Sequence, residues 1–187
     1  MTRVIGGSAG RRRIAVPPTG TRPTADRVRE ALFSALEARG ALEGAEVLDL
    51  FAGSGALGIE ALSRGASTAV LVERDPRACA VIKSNVDVAG VTGALVRRSA
   101  VSTFLGRTSS ASSASSASSA VDLVFVDPPY ADPVDDVLAL LPNWIRPGGL
   151  VVVERDARSP VPAWPAALEV ESSRRYGETT LHLASPV

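Results

Sequence analysis

One cysteine, one histidine and one lysine occur among the 187 residues, and each scarcity closes a class of answers. The lone Cys79 excludes an internal disulfide framework. It lies in the helix-like run Ala78-Cys79-Ala80-Val81-Ile82 with no activating pattern beside it, so it reads as a buried apolar thiol and not a nucleophile. The lone His182 alternates with Leu181 and Leu183, has no partner motif, and reads as an outward-facing strand residue. No Cys/His/Asp cluster has metal-ligand spacing, so no metal is expected. No apolar run approaches the roughly 18 residues of a membrane span. Met1-Thr2-Arg3 leads into glycines and arginines, not an apolar segment, so a cytoplasmic protein is expected.

Lysine is replaced almost wholly by arginine, since Lys83 is one of 20 basic residues. The formal net charge is zero, but its distribution is uneven. Residues 1–30 carry seven arginines against Asp26 and Glu30, a net +5, and the remainder is −5. Arginine's planar fork suits phosphates and bases, which makes Arg3, Arg11, Arg12, Arg13, Arg22 and Arg27 candidate nucleic-acid contacts. A solvated basic tail is the bland alternative. Ile5, Ile14, Val16 and the glycine pairs favour a hairpin turning near Ser8 to Gly10.

What is abundant is alternation of apolar runs and glycine-containing turns. The run Val121-Asp122-Leu123-Val124-Phe125-Val126 ends in Asp127-Pro128-Pro129-Tyr130. A buried strand here delivers a carboxylate, a rigid turn and an aromatic ring to its carboxyl end, where ligands of open α/β sheets bind. Asp127 and the Pro128 carbonyl can accept both hydrogens of an exocyclic amine, and Tyr130 offers a stacking face. An aromatic amine is a poor nucleophile because its lone pair is delocalised. Two acceptors localise that pair and stabilise the positive charge that grows as nitrogen attacks a methyl group. Asp127, Pro128, Pro129 and Tyr130 are therefore the candidate catalytic residues.

A second motif supplies the methyl donor's site. Val47-Leu48-Asp49-Leu50-Phe51 enters Ala52-Gly53-Ser54-Gly55-Ala56-Leu57-Gly58, and a further run from Ala69 ends in Glu73. The glycines let backbone approach a ligand at a helix N-terminus, and Glu73 can hold both hydroxyls of a ribose. Gly53 to Gly58 also satisfies the dinucleotide pattern, so a nicotinamide-dependent oxidoreductase competes. Asp49, four residues before Gly53, would oppose a pyrophosphate but suits the ammonium group of a methionine moiety. Adenosine plus an amino acid means S-adenosylmethionine. Asp49, Phe51, Gly53, Gly55, Glu73, Arg74 and Asp127 are its candidate ligands.

In this order and spacing the two motifs resemble Rossmann-fold S-adenosylmethionine methyltransferases that act on exocyclic amines. Arg3-Val4-Ile5-Gly6-Gly7 and Thr21-Arg22-Pro23-Thr24-Ala25-Asp26-Arg27-Val28-Arg29-Glu30-Ala31-Leu32-Phe33 narrow the likeness to bacterial small-subunit ribosomal RNA guanine-N2 methyltransferases of the RsmD type. The resemblance implies guanine N2 of 16S rRNA as target, within an assembled or assembling small ribosomal subunit; a monomer is expected. It also implies that Ser99 and Ala100, after the third core strand, meet the adenine amino group; many such enzymes use an aspartate where this chain has Ser99.

The alternation predicts an α/β fold: a doubly wound, mostly parallel seven-stranded Rossmann-like methyltransferase sheet, closed by an antiparallel hairpin, with a small N-terminal hairpin-helix extension. Strands are expected at 46–51, 68–73, 94–97, 121–126, 150–154, 168–176 and 179–183, and helices at 23–39, 57–64, 76–89 and 134–141. Residues 1–40 form the basic extension and 41–187 the methyltransferase domain. Residues 109–120, four Ser-Ser-Ala repeats, cannot pack a core and read as a surface loop. Asp75 before Pro76 reads as a helix cap, and Trp144 and Trp164 as packing residues. The motifs alone leave guanine N2 and adenine N6, and RNA and DNA, open. A DNA adenine-N6 methyltransferase and a non-catalytic RNA-binding assembly factor remain as rivals.

Overall fold

The computed structural model describes residues 1–17, 26–106, 120–129 and 134–187. A two-stranded ribbon opens the chain, with Thr2–Arg3 (β1) antiparallel to Arg13–Ile14 (β2). Its turn is broader than expected, spanning Gly6 to Arg11, with Gly7 and Arg11 at positive φ. Asp26–Ala38 (α1) follows, with Val28, Leu32, Phe33 and Leu36 on its buried face. The predicted start at Pro23 lies outside the described residues.

The main sheet then forms from Glu46–Leu50 (β3), Thr68–Glu73 (β4), Ala94–Arg98 (β5), Val121–Val126 (β6), Ile145–Asp156 (β7), Leu168–Tyr176 (β8) and Thr179–Pro186 (β9). Their order is β5-β4-β3-β6-β7-β9-β8, with β5 to β7 parallel and β9 and β8 closing antiparallel. The predicted seven-stranded, mostly parallel sheet is the one observed. Connecting helices are Ala56–Ser63 (α2), Pro76–Ala89 (α3), Val101–Gly106 (α4) and Asp135–Leu140 (α5). The sequence reading missed α4, which is too short for a helical period to show. It also began β7 at Leu150, whereas the strand runs from Ile145 through Pro147-Gly148-Gly149, with a register shift against β6 between Val121 and Leu123.

Both faces of the sheet are covered, which is why its central strands read as continuous apolar runs. Val47, Leu123, Phe125 and Val152 pack with α1, α2 and α3. Leu48, Leu50, Val124, Val126, Val151 and Val153 pack with α4 and α5. The Phe33 ring meets Phe125 with centroids 5.7 Å apart, laying α1 across the first face. Trp144 is a packing residue as expected, stacked on Phe104 at 5.0 Å and donating Nε1–H to the Leu105 carbonyl. Cys79 is buried as expected. His182 is not outward-facing: it is 6% exposed, 2.8 Å from Ser173 Oγ through Nδ1, with Trp164 edge-on to its ring. Trp164 packs against the His182 face of β9, opposite the core face of Leu181 and Leu183, so alternation with leucines marked a strand covered on both faces and not a solvent face.

Candidate functional site

Three strand ends converge at the carboxyl edge of β3, β4 and β5. Phe51 takes φ 61, a conformation non-glycine residues rarely adopt, so the chain turns sharply off β3. Ala52 N–H then donates to the Val72 carbonyl at 3.0 Å, tying the turn to β4. Gly53 N–H donates to Glu73 Oε2 at 3.0 Å, and Asp75 N–H to Glu73 Oε1 at 2.8 Å. Both oxygens of Glu73 are thus oriented by backbone. Ser99 N–H donates to the Glu73 carbonyl at 3.0 Å, bringing Ser99 and Ala100 beside the same acid. Arg74 is exposed next to them. Asp75 caps α3 as expected, accepting from Arg77 N–H at 2.8 Å.

Gly55 sits at the N-cap of α2 with φ 76, where an L side chain would be strained. One turn on, a Cβ at Gly58 would lie 2.9 Å from Leu71 Cδ2 and 3.1 Å from Asp49 Oδ2, so the third glycine permits close helix–strand packing. Asp49 is fully buried on β3, and its Oδ2 accepts from Gly58 N–H at 2.9 Å. Burial pushes its carboxyl up to about 7; the Gly58 hydrogen bond opposes this and the Glu73 charge adds to it.

Asp127 emerges from β6 beside this cradle, half-buried, with Pro128 buried and Pro129 exposed. Tyr130 and Arg22 lie outside the described residues. Burial raises the Asp127 carboxyl well above the ordinary range; Glu154 and Asp49 raise it further, and Arg155 opposes them. Glu154 and Arg155, both buried on β7, were missed in the sequence. The available signal was a pair of charges closing the apolar run Leu150 to Val153.

The basic hairpin is built onto α2. Ile5 and Gly6 N–H donate to the two oxygens of buried Glu60 on α2, at 2.6 and 2.8 Å. Ala9 N–H donates to Ser63 Oγ at 2.8 Å. Asn85 on α3 clamps Ala15 and also donates to the Ser54 carbonyl of the glycine-rich loop, at 2.8 Å. Arg11, Arg13 and Arg27 are exposed. Arg3 pairs with Asp26 at 2.9 Å, and Arg12 donates to the Val88 carbonyl at the end of α3 at 3.0 Å.

The family model described as conserved hypothetical protein 95 matches residues 2–185. Ribosomal RNA small subunit methyltransferase D of Escherichia coli (strain K12) is 34% identical over 185 residues, covering 97% of this chain and 88% of that protein. The protein of the same description from Haemophilus influenzae is 32% identical over 166 residues, covering 85% of this chain and 81% of its own. Among solved structures, Escherichia coli yhhF superposes with a TM-score of 0.82 at 34% identity, covering 99% of this chain and 97% of that one. A hypothetical protein of Thermus thermophilus gives a TM-score of 0.83 at 34% identity over the whole of both chains.

Proposed function

The chain belongs to the conserved hypothetical protein 95 family, and on that footing we propose that it transfers a methyl group from S-adenosylmethionine to the exocyclic N2 amine of a guanine in 16S rRNA. The observation that carries the reading is Asp127-Pro128-Pro129 at the end of β6, set against a glycine-rich cradle whose acid, Glu73, is already oriented. A relative named ribosomal RNA small subunit methyltransferase D that matches 97% of the chain supports it.

The residues present suit this cofactor. Glu73 would take the ribose hydroxyls, Ser99 and Ala100 the adenine edge, and Asp49 the ammonium. Phosphate-binding cofactors fit badly, because Asp49 lies buried directly beneath the N-terminus of α2 and holds Gly58. When bound, S-adenosylmethionine supplies an electrophilic methyl group.

Asp127 and the Pro128 carbonyl accept the two N–H bonds of the target amine, localising its lone pair. Tyr130 stacks on the base and holds it out of its helix. The raised proton affinity of Asp127 suits it to receive the proton that the alkylated nitrogen sheds. Residues 1–40 serve as the RNA-contacting extension and 41–187 as the catalytic domain, with Arg11, Arg13 and Arg27 free to meet phosphates. Among the described residues no helix is long and apolar enough to cross a membrane.

The test is methyl transfer from labelled cofactor to naked 16S rRNA, to assembled small subunits and to DNA, with the modified base identified by mass spectrometry. N2-methylguanine in 16S rRNA is expected. N6-methyladenine in DNA, or no transfer despite cofactor binding, would replace the reading with one of its rivals.

A further inference from the structure

Arg39, Arg64, Arg146 and Arg158 of the catalytic domain are each paired with carboxylates: Arg39 with Glu171, Arg64 with Glu37 and Glu60, Arg146 with Glu46 and Asp122, Arg158 with Asp156 and Glu178. Arg77 and Lys83 on α3 and Arg98 at the end of β5 differ. They are exposed and have no ion pair among the described residues. Acids and bases are equal in number in this chain, so cations left together without acids present a positive surface to a partner.

The three lie on one surface. Arg77, Ala80, Lys83, Ser84 and Asp87 are exposed at helical spacing along α3. The hairpin flanks that face on one side, where Asn85 clamps Ala15. Arg12 reaches over the end of the helix to the Val88 carbonyl, so close that a Cβ on Gly90 would lie 2.7 Å from its Nη1. Strand β5 flanks the other side. Ala94 and Val96 pack into the same core as Ile82 and Val86 of α3, so Arg98, two residues beyond Val96, lies on the α3 side of the sheet. Arg98 stands in register with Glu73. The face thus runs the length of α3, about 20 Å, from the hairpin arginines to the strand edge that carries Glu73. Asp75 is committed to the α3 cap, which leaves Asp87 as the carboxylate facing Arg12, Arg77, Lys83 and Arg98. Ala80 and Ser84 are small, so a ligand's backbone can come close to the helix.

We propose that this face of α3 and the end of β5 bind the phosphate backbone of the rRNA substrate, extending the hairpin's contact along the catalytic domain toward the methyl-transfer edge. The inference rests on the rRNA reading above. Arginine forks take phosphate oxygens in pairs, and the surface is continuous with the basic hairpin. Phosphate contacts carry no sequence, so this face sets the orientation of the RNA while the end of β6 receives the base.

The test is the salt dependence of binding, between about 50 and 200 mM salt, to whichever of naked 16S rRNA and small ribosomal subunits the parent methylates. Three variants are compared with the parent. One combines Arg77→Ala, Lys83→Ala and Arg98→Ala; one is the charge reversal Lys83→Glu. The control combines Arg174→Ala and Arg175→Ala, exposed on β8 at the far end of the sheet. The triple variant should flatten the salt dependence by about three phosphate contacts and weaken affinity about tenfold or more. KM for the RNA should rise by more than kcat falls. The melting temperature should stay at the parent's value, because these side chains are exposed. Lys83→Glu should weaken binding by itself, and the control should bind like the parent. If the triple variant and Lys83→Glu bind RNA like the control, the proposal is overturned and the face is left to an acidic protein partner. A parent that methylates neither RNA probe overturns the rRNA reading instead.

Discussion

Asn85 and Ala15 form a closed pair: the Asn85 carbonyl accepts from Ala15 N–H at 2.8 Å, and its amide donates to the Ala15 carbonyl at 2.9 Å. The same amide reaches Ser54 in the glycine-rich loop. One buried side chain therefore ties the end of the basic hairpin to the glycine-rich loop. Replacing Asn85 with leucine removes three hydrogen bonds to the backbone of Ala15 and Ser54, at about 0.5–1.5 kcal/mol for each bond lost. The melting temperature should fall, and S-adenosylhomocysteine binding measured by calorimetry should weaken beyond what the stability loss explains. Unchanged affinity would show that the hairpin and the cradle are energetically separate.

Asp49 should make both stability and cofactor affinity depend on pH. Its folded carboxyl titrates at about 7, far above its ordinary 3.8. Between those values the folded chain holds a proton that the unfolded chain has released, so this group takes stability away as pH rises from about 4 to about 7. Ionised Asp49 suits an ammonium, so cofactor affinity should tighten as pH rises through about 7. Calorimetry should detect proton release on binding below that point. Asp49→Asn should remove both pH dependences and stabilise the cofactor-free fold at pH 8. It should also weaken cofactor binding by about 2 kcal/mol there.

Glu73→Ala should weaken cofactor binding by about 2–3 kcal/mol, the loss of a pair of charge-assisted hydrogen bonds. Gly53 and Asp75 N–H also lose their acceptor, so a part of the loss comes from a loosened loop. Glu73→Gln, which keeps one acceptor oxygen, should fall between. Tight NAD binding without S-adenosylhomocysteine binding would count against the methyl-donor reading altogether.

Exposed arginines of the hairpin should carry RNA affinity unequally. Arg11 and Arg13 are exposed, and replacing both with alanine should lower the salt dependence of rRNA binding by about two phosphate contacts at unchanged melting temperature. Arg12→Ala should additionally lower the melting temperature, because Arg12 holds the Val88 carbonyl at the end of α3. Parent-like RNA binding by the double variant at physiological salt would leave the segment a solvated surface.

The strand ends and the residues they carry were legible in the sequence because they are local. An apolar run followed by Asp127-Pro128-Pro129, or by glycines and a later acid, announces its geometry through backbone restrictions that need no tertiary contact. The cap at Asp75 was readable for the same reason. The readings of His182 and Arg12 depend on what packs against what. His182 is buried because Trp164 packs against its face of β9, and Arg12 is committed to α3 because the hairpin lands there. Chain order by itself determined the parallel sheet, the glycine-rich turn and the candidate catalytic acid. Only the tertiary structure decided that Ile5 and Gly6 land on Glu60 and that Asn85 joins Ala15 to Ser54, since residues tens of positions apart meet through helix packing, which no local pattern encodes.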